Sequence, residues 1–240
     1  MDVELYAQRM RFYYQNRVAE ADDWTGPRFA ENTERDYHGA KPQMRELADA
    51  VCDTLAGRDV LELAAGMGQY ARFLARTATS LLATDATERA LSRLNDGVNL
   101  GQDLPPGRVR TMPLDAWLPD DAIDSLGGER FDGLLAVNWF QHLPLQQVQD
   151  WVERVHRLLR PGARVVIATN HLSGPNRWTL FHKPDDPNLW EARRTHDGVP
   201  VDIIDNVYGR ADIMGVFARH ANRIECFCGK AYHWVVYDRP

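Results

Sequence analysis

The sequence has few lysines, few cysteines and no long apolar run, and each scarcity excludes a class of protein. Only three of its 28 basic residues are lysines, and the acidic residues outnumber the basic ones to give a formal net charge of −6. Broad binding to phosphate backbones favours a basic face, so we expect no nucleic-acid partner. No apolar run approaches the ~20 residues that span a bilayer, and the N-terminal residues lack a signal-peptide pattern. We therefore expect a cytoplasmic protein with no membrane partner.

The three cysteines are too few for a disulfide framework. Cys226 and Cys228 are separated by one residue in a predicted strand, which places both side chains on one face. Their spacing is not that of a Cys-x-x-Cys pair, and no second pair exists, so we expect no metal site. A reduced, buried pair of thiols is the prediction.

The hydrophobic pattern predicts an α/β protein. At 240 residues, 44% of them hydrophobic, the chain fits one large domain. Short apolar runs alternate with amphipathic segments, which is typical of a mostly parallel, doubly wound sheet covered by helices, here with a terminal antiparallel strand. The seven predicted strands span residues 59–63, 80–84, 109–112, 131–137, 163–169, 223–228 and 232–237. The predicted helices span residues 3–21, 43–55, 69–76, 88–99, 145–159 and 212–221.

Two regions fall outside this alternation. Residues 1–57 are predicted to form an N-terminal helical cap on the main domain, residues 58–240. Within that domain, residues 171–209 are rich in proline, aromatic residues and arginine but show no convincing period. A long irregular segment inside a compact protein is usually functional, so we interpret it as a lid or acceptor-binding segment.

A glycine-rich turn follows the first predicted strand. The strand ends at Glu62 and continues through Ala64-Ala65-Gly66-Met67-Gly68 into a helix. Small residues there let the backbone approach a ligand and direct amide groups towards it. The second strand ends in Asp85, an acid suited to accept hydrogen bonds from both hydroxyls of a ribose. Together these features indicate a cofactor that contains a nucleoside.

Two alternatives stay open at this point. The run from Gly66 to Ala71 also satisfies the dinucleotide pattern, so an NAD-dependent oxidoreductase must be considered. Glu62 would repel a pyrophosphate but would accept hydrogen bonds from a cationic amino group, which favours a sulfonium cofactor. In addition, Asp85 and Asp115 would each serve equally well as simple helix caps.

The ordered set of motifs resembles the class I S-adenosylmethionine-dependent methyltransferases, whose first motif runs acid-x-Gly-x-Gly-x-Gly. Here Ala64 replaces the first glycine. The resemblance continues through Asp85, Leu114-Asp115-Ala116, FDGLLAVNWFQHLP and HRLLRPGARVVIAT, and covers about residues 58–170. It implies a Rossmann-like fold and S-adenosylmethionine as the cofactor. The cofactor-binding residues that it implies are Glu62, Ala64, Gly66, Gly68, Asp85, Ala86, Asp115, Ala116, Asn138 and Trp139.

The N-terminal helix adds two further candidates. The motif RFYYQNR places Tyr13 and Tyr14 in succession, so at least one of the rings must point away from the core. In relatives of this family a tyrosine from such a segment reaches the methionine carboxylate, so the resemblance implies cofactor binding. Packing of the helix onto the sheet explains the two tyrosines equally well.

Two histidines are candidate general bases. His142 follows the fourth predicted strand and His171 the fifth, at the edge of the sheet where ligands bind in such folds. His142 has an alternative role in shaping the cofactor pocket. A base is dispensable if the acceptor is already a good nucleophile, because orientation then suffices. The residues predicted to line a lid or acceptor pocket are Trp178, Phe181, His182, Trp190, Arg193, Arg194, His196 and Tyr208.

The sequence thus predicts an S-adenosylmethionine-dependent methyltransferase that acts on an oxygen or nitrogen of a small metabolite, without a metal. The main alternative is intramolecular cyclisation or elimination at the aminobutyl arm of the same cofactor. A non-catalytic cofactor-binding module is a third hypothesis, because folds of this kind carry unrelated functions. Association into a homo-oligomer stays open.

Overall fold

The computed structural model describes residues 2–17, 40–99, 104–170, 180–229 and 232–240. The strands are Asp59–Leu63 (β1), Ser80–Asp85 (β2), Val109–Pro113 (β3), Phe131–Val137 (β4), Leu159–Asn170 (β5), Leu180–His182 (β6), Leu189–Arg194 (β7), Pro200–Ile204 (β8), Arg223–Cys228 (β9) and Tyr232–Asp238 (β10). The helices are Val3–Arg17 (α1), Ala40–Leu55 (α2), Ala71–Thr77 (α3), Glu88–Asn99 (α4), Asp120–Ser125 (α5), Val148–Arg157 (α6) and Arg210–Phe217 (α7). Short 3₁₀ turns occupy Phe140–His142, Leu145–Gln147 and Ala218–His220.

The main sheet has seven strands in the order β3-β2-β1-β4-β5-β10-β9. Strands β1 to β5 are parallel, and β10 runs antiparallel to both β5 and β9. From β1 the chain builds outward through β2 and β3 on one side, and then returns to add β4 and β5 on the other side. The switch point between the two halves lies between β1 and β4, and ligands of open α/β sheets bind at the carboxyl ends of the strands there. The predicted doubly wound, Rossmann-like sheet is confirmed.

Two hydrophobic layers enclose this sheet, one on each face. Successive residues of the central strands alternate between the layers, as the pleat requires: Leu134 faces one and Leu135 the other. One layer is covered by α1, α6 and α7, and the other by α2, α3 and α4. The two helices predicted to form one N-terminal cap therefore lie apart, because α1 and α2 pack on opposite faces of the sheet.

The segment predicted to be irregular contains a second sheet. Strands β6, β7 and β8 form an antiparallel meander, and Trp190, Ile203 and Ile204 bury their side chains in the layer that also holds α1. The prediction of irregular structure was wrong for this part because the strands are only three to six residues long. Residues 171–179, with the predicted base His171 and with Trp178, lie outside the described residues.

Two further boundaries differ from the predictions. The helix predicted over residues 145–159 ends at Arg157, and Leu159 already pairs with Phe131 as the first residue of β5. The Arg160-Pro161-Gly162 stretch is thus an irregularity inside β5 rather than a turn before it, with Gly162 at φ +77°. Only the part of the predicted first helix up to Arg17 lies among the described residues.

The cysteine pair lies on the edge strand β9. The two sulfur atoms are 3.9 Å apart, as expected for one face of a strand. Cys226 is buried but Cys228 is exposed, so the prediction that both are buried was wrong. An edge strand has a neighbouring strand on one side only, which agrees with the exposure of Cys228, the last residue of β9. Among the helices of the described ranges, none has the length and apolar character to cross a membrane.

Candidate active site

The turn after β1 adopts a left-handed backbone at three positions. Ala64, Gly66 and Gly68 have φ values of +52°, +56° and +85°. Glycine takes this conformation without cost, whereas an L-residue such as Ala64 loses about 1–2 kcal/mol. A Cβ on Gly66 would meet open space, but one on Gly68 would lie 2.8 Å from the Leu94 side chain of α4. Gly68 is therefore required for packing of the helix, and Gly66 for the shape of the turn.

Glu62 is the most unusual residue of the turn. It lies near the end of β1, in the middle of the sheet, where it pairs with Ala83 of β2 and Leu135 of β4, and the residue is only 3% exposed. Its Oε2 atom has no hydrogen-bond partner within the described part of the chain. Burial, reinforced by the nearby Asp85, raises the pKa of Glu62 to about 8. A ligand that carried an ammonium group would satisfy this carboxylate.

Asp85 closes the turn from the end of β2. Its two carboxylate oxygens accept hydrogen bonds from the backbone N–H groups of Gly66 at 3.0 Å and Thr87 at 2.9 Å. Burial raises the pKa of Asp85 despite these bonds. The bond from Thr87 joins residues two positions apart, as in an Asx turn, and is not a helix cap. The same carboxylate borders the turn with acceptor capacity remaining, since each oxygen accepts more than one bond. Ala86 follows in a half-buried bend.

Asp115 connects the end of β3 to the N-terminal helix. It forms an ion pair with Arg11 of α1 and accepts the backbone N–H of Trp117 at 3.0 Å. The Ala116 carbonyl accepts a hydrogen bond of 2.7 Å from the indole of Trp151. Arg11 was missed by the sequence analysis. Its place three residues before Tyr14, on the same face of a helix, is the signal that would have found it.

Asn138 and Trp139 follow β4, beside the turn after β1. Asn138 has a left-handed φ of +56°, and its Oδ1 atom is buried without a partner among the described residues. Its side chain also hydrogen-bonds to the Tyr232 hydroxyl, which opposes the burial that raises the pKa of that tyrosine. Trp139 is buried edge-on against Trp117, with ring centroids 5.7 Å apart.

His142 and Tyr14 are in direct contact, which the sequence did not predict. His142 Nε2 lies 2.9 Å from the Tyr14 hydroxyl, and its Nδ1 lies 2.6 Å from the carbonyl oxygen of Ile204, the last residue of β8. Because a carbonyl only accepts, Nδ1 carries the proton, and in the neutral imidazole Nε2 then accepts from the Tyr14 hydroxyl. His142 is buried, whereas Tyr14 is partly exposed and Tyr13 is buried in the core.

A compensated buried charge lies beside this pair. The guanidinium of Arg193 contacts Glu191 at 2.5 Å and Asp205 at 3.6 Å, and its Nη1 lies 3.4 Å from the Tyr14 oxygen. Burial alone would lower the pKa of Arg193, but Tyr14 and the two carboxylates raise it above its ordinary value. Burial also raises the pKa of Asp205, to about 7. Glu191 and Asp205 were missed by the sequence analysis.

The other described residues that were predicted for the acceptor pocket are divided between the core and the surface. Trp190 and Tyr208 are buried in the core, where the Trp190 ring contacts Tyr6 edge-on and Tyr208 lies 4.7 Å from Phe140. Phe181 is half-buried at the edge of the same layer. The side chains of His182, Arg194 and His196 are exposed. Within the described ranges, no group of three or more histidine, cysteine, aspartate or glutamate residues is placed to hold a metal ion.

The site therefore has two parts along one edge of the sheet. One part consists of the glycine-rich turn and three acids, Glu62, Asp85 and Asp115. The other part consists of Tyr14, His142 and Arg193, which come from α1, the turn after β4, and β7. The first part fits a cationic ligand with hydroxyl groups, and the second part offers a hydroxyl and an imidazole in hydrogen-bond contact.

Comparison with known proteins is consistent with this description. Residues 61–165, somewhat under half of the chain, match a family model described as a methyltransferase domain. No curated protein matches the sequence.

Solved structures of similar fold cover nearly the whole chain. A structure described as "DhpI-SAH complex structure" has 19% identity and a TM-score of 0.70, over 98% of this chain and 97% of the other. N-methyltransferase NodS from Bradyrhizobium japonicum WM9, in complex with S-adenosyl-l-homocysteine, has 13% identity and a TM-score of 0.60, over 98% of each chain. The 1,6-didemethyltoxoflavin-N1-methyltransferase of Burkholderia thailandensis has 16% identity and a TM-score of 0.58, over 98% and 89%.

Proposed function

We propose that this chain, which carries a class I S-adenosylmethionine-dependent methyltransferase domain, transfers the methyl group of its cofactor to an oxygen or nitrogen of a small-molecule metabolite. The observation that carries the proposal is the buried Glu62 carboxylate with an unpartnered oxygen beside the turn. A buried acid without a partner is costly, so its presence next to Gly66 is best explained by a ligand that supplies the missing donor.

The residues around the turn fit S-adenosylmethionine in both charge and hydrogen-bonding capacity. Glu62 would hold the ammonium of the methionine part, and Asp85 would accept from the ribose hydroxyls. Asp115 and Ala116 would border the adenine, with Trp139 and Asn138 between the adenine and methionine parts. When bound, this cofactor supplies an electrophilic methyl group on a sulfonium.

The chemistry of the acceptor follows from the second part of the site. His142 is held with Nε2 as an acceptor, in contact with the Tyr14 hydroxyl. A group arranged to accept a proton is useful for an acceptor that loses one on methylation, namely a hydroxyl or an amine. Arg193, which lies beside this pair, is held by the two carboxylates of Glu191 and Asp205.

Small size of the acceptor is supported by composition and by the neighbours. The net charge of −6 opposes nucleic-acid binding. Among the structural neighbours, the Burkholderia thailandensis methyltransferase contains bound 1,6-didemethyltoxoflavin, which is a small molecule. Contacts of α1 and β8 with His142, in the turn after β4, support the same class of acceptor, since they place both elements beside the carboxyl end of that strand.

Titration calorimetry with S-adenosylmethionine, S-adenosylhomocysteine and NAD tests the cofactor. We expect binding of the first two and none of NAD, and binding of NAD alone would overturn the proposal. Mass spectrometry of the cofactor products, with and without a cellular metabolite extract, tests the reaction. S-adenosylhomocysteine formed only with the extract supports methyl transfer, whereas methylthioadenosine formed without any acceptor supports reaction at the aminobutyl arm.

A further inference from the structure

We propose that Tyr14 is the catalytic residue that takes the proton of the acceptor and that His142 is a positioning residue that receives the proton of Tyr14. This inference rests on the proposed function and deepens it. It reassigns both residues, because the family resemblance implies cofactor binding for Tyr14, and the position of His142 after the fourth strand predicts direct base catalysis for that residue. Four features of the structure support the reassignment.

The first feature is burial. His142 is 3% exposed, and both of its ring nitrogens lie within hydrogen-bond distance of groups of the protein, Ile204 and Tyr14. An acceptor therefore has no direct route to the imidazole. Tyr14 is partly exposed and its hydroxyl is in contact with Nε2, so it is the member of the pair that a ligand can reach.

The second feature is a rigid frame that fixes the histidine. The Tyr6 hydroxyl donates to the backbone carbonyl of His142 at 3.2 Å and accepts the backbone N–H of Ile204 at 2.9 Å. Tyr6 thus holds both the histidine and the residue whose carbonyl selects its tautomer. With the proton fixed on Nδ1, Nε2 is ready to receive the Tyr14 proton.

The third feature is the charge beside Tyr14. The Nη1 atom of Arg193 lies 3.4 Å from the Tyr14 oxygen, and its guanidinium lies 5.7 Å from the centroid of the Tyr13 ring. A cation in this position stabilises negative charge on Tyr14 while its proton is on His142. Among the described residues, the titratable and charged groups around the pair include Tyr6 and Tyr13 of α1, Glu191 and Arg193 of β7, and Asp205 after β8.

The fourth feature is location. Tyr14 lies one helical turn after Arg11, which is paired with Asp115 at the end of β3. His142 belongs to the turn after β4, directly after Asn138 and Trp139. The pair therefore borders the carboxyl edge of the sheet at the switch point, where the methyl group of a bound cofactor is expected.

The proton transfers balance. As the X–H bond of the acceptor breaks, the Tyr14 oxygen takes its proton, and the proton that Tyr14 already carries moves to His142 Nε2. The electron pair left on X forms the new bond to the methyl carbon, and the electrons of the carbon–sulfur bond stay on sulfur. One positive charge is lost from sulfur and one is gained by the imidazole, so the total charge is unchanged.

Nuclear magnetic resonance of ¹⁵N-histidine in the full chain tests the pair without any acceptor. We expect His142 to carry its proton on Nδ1, and Tyr14→Phe to move its Nε2 signal to the position of a nitrogen without a hydrogen bond. Tyr237→Phe is the matched control, because the Tyr237 hydroxyl lies 3.0 Å from Nε2 of His156. It should move the His156 signal and leave that of His142 in place. A proton on Nε2 of His142, or no response to Tyr14→Phe, would overturn the proposal.

Two further measurements separate this inference from the proposed function. Calorimetry with S-adenosylhomocysteine should give the same affinity for Tyr14→Phe as for the natural chain, and a loss of about tenfold or more would return Tyr14 to cofactor binding. With the metabolite extract as acceptor, Tyr14→Phe and His142→Gln should each slow S-adenosylhomocysteine formation by about 10²–10⁴-fold, with little further loss in the double variant. Full activity of Tyr14→Phe would overturn the relay. If the natural chain bound no S-adenosylhomocysteine, the proposed function would fail, while the resonance experiment would still decide the pairing.

Discussion

Two buried glutamates, Glu62 and Glu191, have nearly the same exposure, 3% and 5%, but opposite surroundings. Glu191 contacts the guanidinium of Arg193 at 2.5 Å, in a cluster that also contains Asp205. Glu62 has an oxygen without a partner within the described residues, and the group that reinforces the rise of its pKa, Asp85, is another acid. The same side chain is thus neutralised in one region and left unsatisfied in the other.

This difference distinguishes a structural charge from one that is kept for a ligand. A buried ion pair supplies its own counter-charge, so it fixes the relative position of the elements that carry it, here β7 and the loop after β8. A buried acid without a counter-charge raises the free energy of the free protein. It is tolerated where a ligand removes that cost, as we propose for the ammonium of the cofactor at Glu62.

The largest effect should come from Arg193→Met, which removes the counter-charge of two carboxylates. We expect the free energy of unfolding to fall by about 3–5 kcal/mol, because one partner of a buried ion pair is lost while the others stay buried. Urea denaturation followed by circular dichroism measures this. Arg194→Met is the matched control, since Arg194 is exposed and bonds only to the Gly198 carbonyl at 2.9 Å in the described structure, and it should change stability by less than about 0.5 kcal/mol. Equal effects of the two variants would contradict the structural role of the cluster.

Next in size is the pH dependence that Glu62 imposes on the free protein. Its pKa is raised from 4.5 to about 8, so the folded state binds a proton more tightly than the unfolded state does. The stability from this group is fully present below pH ~4.5 and is lost as the pH rises to about 8. Each pH unit in this window changes the free energy of unfolding of the natural chain by about 1.4 kcal/mol. The free energy of unfolding of Glu62→Gln, measured relative to the natural chain, should therefore increase by roughly 3 kcal/mol between pH ~5 and ~8. Urea denaturation of the two proteins at several pH values measures this difference. A difference in free energy of unfolding that stayed constant with pH would refute the prediction.

Glu62→Gln should be the more stable of these two proteins without the cofactor but the weaker at binding it. We expect Glu62→Gln to bind S-adenosylhomocysteine about 10–100-fold more weakly, because a charge-assisted hydrogen bond contributes about 1.5–3 kcal/mol. Asp59→Asn, at the start of the same strand and half-buried, is the control and should bind normally. Calorimetry gives both affinities. Unchanged affinity of Glu62→Gln would mean that the unpartnered oxygen is not kept for this ligand.

The smallest effect concerns the backbone next to Glu62. Ala64 has a φ of +52°, so Ala64→Gly should raise the free energy of unfolding by about 0.5–1 kcal/mol, the relief of strain exceeding the entropy that glycine costs. Ala65→Gly is the matched control, because Ala65 is buried and is not among the residues with positive φ, and it should lower stability. Thermal unfolding compares the two. A loss of stability in both would show that the turn is not strained at Ala64.

The two regions also differ in how far the sequence predicted them. Glu62, Ala64, Gly66 and Gly68 are adjacent in the chain, so a local pattern was enough to identify the turn, and Asp85 follows at the end of the next strand. What the pattern does not contain is the hydrogen bond from Gly66 to Asp85, which makes the acid part of the turn itself.

The second part of the site is assembled from distant segments. Tyr14, His142 and Arg193 were each identified as candidates, but their contact joins residues more than a hundred positions apart. This contact depends on strands β6 to β8, which are too short to show a clear hydrophobic periodicity in the sequence. Within them, the alternation of Val201, Asp202 and Ile203 was the available signal, with the two apolar residues buried and the aspartate half-buried.

The bonds of Tyr6 also set an order in time. This tyrosine lies in α1, and the backbone group that donates to its hydroxyl belongs to Ile204, which is synthesised 198 residues later. At synthesis rates of about 5–20 residues per second, the helix waits on the order of 10–40 s for that partner. During this interval the apolar residues that α1 later buries, such as Met10, are uncovered on the nascent chain. Helix α1 therefore reaches its final contacts only after β8 has been translated, and the site is completed no earlier than that step.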